Sequence, residues 1–180
     1  MSRYVAFLRG MNVGGHRVES DRLGQLIGES GFTDVSTFRT SGNVIFDAVE
    51  KHDVEEVALL IERRLTEGLG YEVPVFLRST KEIQAIAAFA PFEEELIESS
   101  AGKLQVVLLA KKPSPQARAE VLEFSSDEDR LVIQSRELYW LPSGGILDSE
   151  LDQKTITAQL GVSTTRTKGT IDLIASKFFS

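Results

Sequence analysis

Two hydrophobic periods alternate along the first 78 residues in a fixed order, and that order is the tightest constraint on the fold. Arg3–Leu8 reads as a strand, because Tyr4, Val5 and Phe7 are β-formers and the run ends at Gly10. Ser20 suits an N-cap, and Leu23, Leu26 and Ile27 follow at helical spacing up to Gly31, a good residue to end a helix. Val35–Thr40 and Val44–Phe46 read as short strands. Ser41-Gly42-Asn43 between them suits a tight hairpin turn, since Gly and Asn tolerate positive φ. Val54, Val57, Ala58, Ile61 and Leu65 form one apolar stripe that Gly68 and Gly70 stop. Val73–Leu77 is a further strand, with Pro74 near its start pointing to a sheet edge. The order β-α-β-β-α-β is the split-βαβ, ferredoxin-like pattern.

The second half echoes the first in element order. Thr80 suits the cap of a helix carrying Ile83, Ile86, Ala87 and Ala90, which Pro91 ends or interrupts, and Glu93–Glu98 fits one exposed turn. Leu104–Leu109 is a continuous apolar strand. Pro113-Ser-Pro115 leads into a helix with Ala117, Val121 and Leu122. Arg130–Ser135 and Glu137–Leu141 form a strand pair, Leu151–Leu160 a helix ended by Gly161, and Thr170–Phe179 a last helix. The second copy lacks an obvious final strand, and no residue-level repeat accompanies the echo. The expected architecture is α+β, with two ferredoxin-like halves packed together. The first half is residues 1–80; the second is residues 81–180, with an extra C-terminal helix.

Composition narrows the function classes. At 180 residues and 42% apolar the chain can bury a sizeable core. It has no cysteine, which removes disulfides, Cys-ligated metal and thiol catalysis. Apolar runs such as Val57–Ile61 and Val106–Ala110 are far short of the ~18 residues a membrane helix needs. The N-terminal apolar stretch is too short for a secretory signal, so a cytoplasmic protein without membrane contact is expected. Net charge is −7, and residues 47–99 carry 13 acidic against 5 basic side chains. That balance opposes general nucleic-acid binding, which needs a basic footprint, and reads as a solvated acidic face.

Three segments are candidates for chemistry. Leu8-Arg-Gly-Met-Asn-Val-Gly-Gly-His-Arg17 joins a strand to a helix. Its glycines at 10, 14 and 15 either make the connection alone or let backbone N–H groups form an anion nest, with Arg9 and Arg17 adding charge and Asn12 a polar contact. It matches neither the P-loop, lacking the lysine, nor the dinucleotide fingerprint. Thr37-Phe-Arg-Thr-Ser-Gly-Asn-Val-Ile-Phe46 brings Arg39, Ser41 and Asn43 towards one end of the sheet. Val162-Ser-Thr-Thr-Arg-Thr-Lys-Gly-Thr-Ile171 places Arg166 and Lys168 beside a helix start, where the dipole favours negative charge; a bound anion would resolve that mismatch. His16 and His52 are the only histidines and have no metal-ligand spacing. Glu93–Glu95 and Asp127–Asp129 are consecutive and read as solvated turns. No metal and no cofactor is expected.

The block Phe7-Leu-Arg-Gly-Met-Asn-Val-Gly-Gly15, followed by Gly31-Phe-Thr-Asp-Val35 and Ser41-Gly-Asn-Val-Ile-Phe46, resembles the bacterial domain of unknown function 1697 family. Val73-Pro-Val75, Pro91-Phe92, Leu141-Pro-Ser-Gly144 and Leu160-Gly-Val-Ser-Thr-Thr-Arg166 continue the resemblance. It implies two similar ferredoxin-like halves and no established activity. It also implies shared polar positions at Arg9, Asn12, Gly14, Gly15, Ser41, Gly42, Asn43, Thr165 and Arg166. Two departures stand out. Thr167-Lys-Gly169 replaces the family's Asn-Trp-Asn, which removes a tryptophan contact. The lysine of Asp148–Lys154 also comes later than is usual in the family.

The sequence therefore leads to an expected binding protein for a small phosphate- or carboxylate-bearing ligand, a nucleotide among the options. Arg9, Asn12, Gly14, Gly15, Arg39, Ser41, Asn43 and Arg166 are its expected site. The alternatives are an enzyme acting on a phosphorylated or carboxylated metabolite, with Arg9 stabilising developing charge, and a ligand-free interaction module using the edge strand or terminal helix.

Overall fold

The computed structural model describes residues 1–11, 14–15, 17–40, 42–49 and 53–180. The chain divides into two compact units: residues 1–86 with 174–180, and residues 87–173. Unit 1 runs β1 (Ser2–Leu8), α1 (Ser20–Gly28), β2 (Thr33–Thr37), β3 (Asn43–Ala48), α2 (Val54–Leu69) and β4 (Val75–Ser79), then enters α3 (Thr80–Ala88). Unit 2 contains α4 (Glu94–Ser99), β5 (Gln105–Leu109), α5 (Pro115–Leu122), β6 (Asp129–Gln134), β7 (Glu137–Pro142), α6 (Gln153–Leu160) and β8 (Ser163–Thr167). The last helix, α7 (Lys168–Phe178), begins in unit 2, and its final residues belong to unit 1.

Each unit holds one antiparallel four-stranded sheet, ordered β2-β3-β1-β4 and β6-β7-β5-β8. The matching order and connectivity make this an α+β protein of two ferredoxin-like halves. In unit 1, Tyr4, Ala6 and Leu8 face a core completed by Leu23, Leu26 and Ile27 of α1 and Val57, Ile61 and Leu65 of α2. Val5 and Phe7 point to the opposite face and are also fully buried. Burial on both faces explains why β1 and β5 read as unbroken apolar runs and not as alternating strands. Each such side chain contributes about 1.5–3 kcal/mol when removed from water.

Helix ends follow local chemistry, with corrections to the expected caps. The Asp53 side chain accepts the Glu55 N–H at 3.0 Å, and Gly70 closes α2 at φ 81°. Glu19, not Ser20, is the N-cap of α1, and it makes no side-chain cap bond. Ser79, not Thr80, caps α3 through a reciprocal box: the Ser79 N–H donates to Glu82 Oε2 at 2.9 Å, and the Glu82 N–H to Ser79 Oγ at 3.4 Å.

The expectation that unit 2 lacks a final strand is wrong. Ser163–Thr167 forms β8, paired with β5 along its whole length. A threonine-rich run is good strand material, but Ser and Thr ahead of an apolar helix also read as caps, and in this segment Thr167 does both. It ends β8 and accepts the Thr170 N–H at 3.2 Å. With β8 as the fourth strand, the units share a residue-level echo. Arg78 on β4 sits opposite Val5 of β1, and Arg166 on β8 sits opposite Val106 of β5. Both arginines are buried, and the next residue caps the following helix in each case.

Asp152 caps α6. Its Oδ1 accepts the Thr155 N–H at 3.0 Å, and its Oδ2 accepts the Thr155 hydroxyl at 2.7 Å. These bonds, the hydroxyl first, hold its carboxyl below the ordinary value of 3.8. A depressed folded pKa adds stability above the unfolded value, and that stability is lost as pH falls through the folded one. Asp152→Asn keeps an acceptor but cannot titrate. Melting curves taken from neutral pH into acid should therefore fall less steeply for Asp152→Asn than for the parent. Identical acid slopes would show that the cap contributes nothing pH-dependent.

Candidate functional site

The β1–α1 loop and the β2–β3 turn meet because β1 and β3 are neighbours in the sheet. The Leu8 N–H donates to Gly42 O at 2.8 Å, which seats the turn on the end of β1. Gly42 has φ 78°, and a Cβ there would lie 2.6 Å from Met11 Cγ and 3.0 Å from Leu8 Cβ. Only glycine fits both the backbone angle and the gap.

Around this junction is a hollow of about 560 Å³. Met11, Arg17, Glu19, Thr37, Arg39 and Gly42 are among the described residues lining it, and Ser20, the first residue of α1, is another. Arg39 adopts φ 59°, unusual for a residue with a side chain. Its guanidinium carbon lies 5.4 Å from the Phe38 ring centroid, and the ammonium of Lys177 lies 5.5 Å from the same ring. Phe178 meets that ring edge-on at 5.8 Å. Cation–π contacts of this kind contribute about 0.5–1 kcal/mol at exposed sites and fix where the charges sit. At the opposite end of β1, Arg3 holds Asp47 through two bonds at 2.8 and 3.0 Å, pairs with Asp34, and donates to Phe178 O at 3.3 Å. These carboxylates raise its pKa above the ordinary value, the Asp47 hydrogen bond most of all.

The expected site residues separate into groups. Gly14 and Gly15 take φ 62° and 85° on an exposed loop, and the Arg17 N–H donates to Gly15 O at 3.2 Å. Arg9 is exposed at the loop's start, where its backbone N–H donates to Pro74 O at 3.0 Å; it is not among the described lining residues. Asn43 is buried, and its side-chain amide donates to Phe38 O at 2.8 Å, closing the hairpin. Asn12 and Ser41, like His16, lie outside the described residues. Arg166 belongs to unit 2. It donates to Thr164 Oγ1 and Thr165 O, both at 2.9 Å, and burial pushes its guanidinium down to about 10.

Two buried polar features escaped the sequence reading. Arg78 is completely buried on β4 and donates to Leu77 O at 3.0 Å. Asp129, expected in a solvated turn, is 6% exposed and opens β6. Its Oδ1 accepts Trp140 Nε1–H at 2.7 Å and the Ser149 hydroxyl at 2.8 Å. The buried alternation Asp129, Leu131, Ile133 was the available signal. Among the described residues, no group of three or more His, Cys, Asp or Glu side chains is set to hold a metal ion, and no helix is long and apolar enough to cross a membrane.

Two split-βαβ units, one with a glycine-rich loop and two arginines around a hollow at its sheet end, define the class: a two-unit ferredoxin-like α+β protein. The chain belongs to the DUF1697 family, proteins of unknown function, whose model matches residues 1–139. No curated protein matches it. Among solved structures it is similar to the conserved bacterial protein SP0830 from Streptococcus pneumoniae, at 19% identity and a TM-score of 0.75. That likeness covers 100% of this chain and 99% of the other, and it concerns the fold.

Proposed function

We propose that the hollow of unit 1 binds a small anionic ligand carrying a phosphate or carboxylate group, a nucleotide among them. One juxtaposition carries the reading: Arg17, Arg39 and the uncapped start of α1 line the same hollow. The first N–H groups of a helix need acceptors, and its dipole favours an anion there. The positive-φ glycines beside Arg17 turn the backbone without side-chain bulk. Glu19 shares the wall and leaves the described lining net positive. Hydrogen bonds to charged groups contribute about 1.5–3 kcal/mol each, so losing one arginine should weaken binding roughly tenfold or more.

Thermal unfolding with inorganic phosphate, AMP, ATP and citrate tests the reading. A ligand present at about 100 times its Kd adds about 2.7 kcal/mol, a rise of several degrees for a chain of this size. At least one probe should raise the melting temperature of the parent. Without ligand, the Arg17→Ala, Arg39→Ala double variant should melt within about 1–4 °C of the parent, the effect of losing the Arg39–Phe38 contact, and it should lose the ligand response. A response that survives in the double variant, or no response to any probe, would overturn the proposal.

A further inference from the structure

We propose that unit 2 carries a docking site for a basic peptide segment of a partner protein, one that presents lysine or arginine side chains around an apolar anchor. The site is a hollow of about 660 Å³ between the β6 start, the β7 end and the start of α6. That size lies within the roughly 300–1,000 Å³ spanned by ligand pockets. Phe124, Pro142 and Leu151 supply apolar wall. Glu128, Asp129, Asp148, Glu150 and Asp152 also line it, and no lysine, arginine or histidine does so among the described residues.

Three observations select the occupant. First, the charge of the wall has one sign, so the complementary partner is cationic. Low-dielectric walls around like charges focus that field. Asp129 contributes from a buried position: Trp140 and Ser149 both use its Oδ1, and Oδ2 takes no donor from the described residues. Second, the carboxylates do not converge on one point. No group of three is placed to hold a metal ion among the described residues, which favours several separated cationic groups over one ion. Third, the adjoining short turn Ile146–Asp148 displays its apolar side chains. Leu147 is 98% exposed and Ile146 46%, and Phe124 on the wall is 36% exposed. Apolar side chains grouped beside a charged hollow mark an interaction surface. A free polyamine would have no use for Leu147, whereas a peptide with an apolar anchor would cover it.

The probes are a fluorescein-labelled peptide alternating Lys and Leu, its Glu/Leu counterpart, and spermine as competitor, read by fluorescence anisotropy on the full chain. The Lys/Leu peptide should bind the parent in a salt-sensitive way, and the Glu/Leu peptide should not. Leu147→Glu should weaken binding about tenfold or more, equivalent to 1.4 kcal/mol. Glu128→Lys with Asp148→Lys should do the same. Glu55→Lys with Glu56→Lys, an equal charge change on the exposed side of α2, should leave binding within about twofold. Equal weakening in that control would reduce the effect to net charge and overturn the proposal. So would an undiminished affinity in Leu147→Glu, full displacement by spermine at matched charge, or no binding at all. Leu147 is almost wholly exposed, so its variant should keep the parent's circular dichroism and melting temperature, and lost binding would then belong to the surface.

Discussion

Gly42→Ala should lower the stability of the protein by about 2–4 kcal/mol, the strain of a left-handed non-glycine residue combined with overpacking. The added methyl would sit 2.6 Å from Met11 Cγ and 3.0 Å from Leu8 Cβ, at a φ of 78°. Neither neighbour has free space, because Leu8 and Met11 are both buried in the core of unit 1. Relief requires the turn to lift from β1, which breaks the bond from the Leu8 N–H to Gly42 O. Because that bond joins the two walls of the hollow, the variant should also lose its response to any anion the parent binds. At about 2–4 °C per kcal/mol for a chain of this size, the melting temperature should fall by roughly 4–16 °C. A fall under about 2 °C would mean the turn is not held as described.

Asp129→Ala should cost about 2–4 kcal/mol and change the fluorescence of the protein's only tryptophan. Trp140 is buried, and Asp129 Oδ1 accepts its indole N–H. Asp129 and Trp140 reach one another diagonally across the β6–β7 pair, because Asp129 pairs with Pro142 and Leu131 with Trp140. Removing the carboxylate strands the indole N–H and the Ser149 hydroxyl together, and a buried donor without an acceptor carries its full desolvation penalty. Asp129→Asn keeps an oxygen acceptor and should recover part of the loss. Urea titrations followed by tryptophan emission measure both. Equal stability of the Ala and parent proteins would show that the contact carries no net energy.

The element order of unit 1 was legible because it rests on repeated local signals. The apolar stripe of α2, stopped at Gly70, matches the helix found. Pro74 marked β4 as an edge strand, and β4 is an edge. The unbroken apolar runs of β1 and β5 followed from burial on both faces. Less was legible at the candidate site. The loop ending at Arg17 was visible; Arg39 read as part of the strand Val35–Thr40, whereas β2 ends at Thr37 and Arg39 lies beyond it at φ 59°, and the two arginines line one hollow. Asn43 was visible as a polar residue, but its amide is engaged in closing the hairpin. Ser163–Thr167 carried two local readings of similar strength, strand and cap, and only pairing with β5 separated them. Asp129 sat in an acidic triplet that looked solvated, and nothing near it in the chain announced Trp140.

Hydrophobic period, turn residues and helix stops are properties of neighbouring residues. The sequence by itself therefore determined the ferredoxin-like class, the element order of unit 1 and that of unit 2 up to its last strand. The fate of a charged side chain depends on which distant backbone covers it and which distant group answers it. For this reason only the tertiary structure decided that Arg78, Asp129 and Arg166 are interior residues while Arg17 and Arg39 line a hollow.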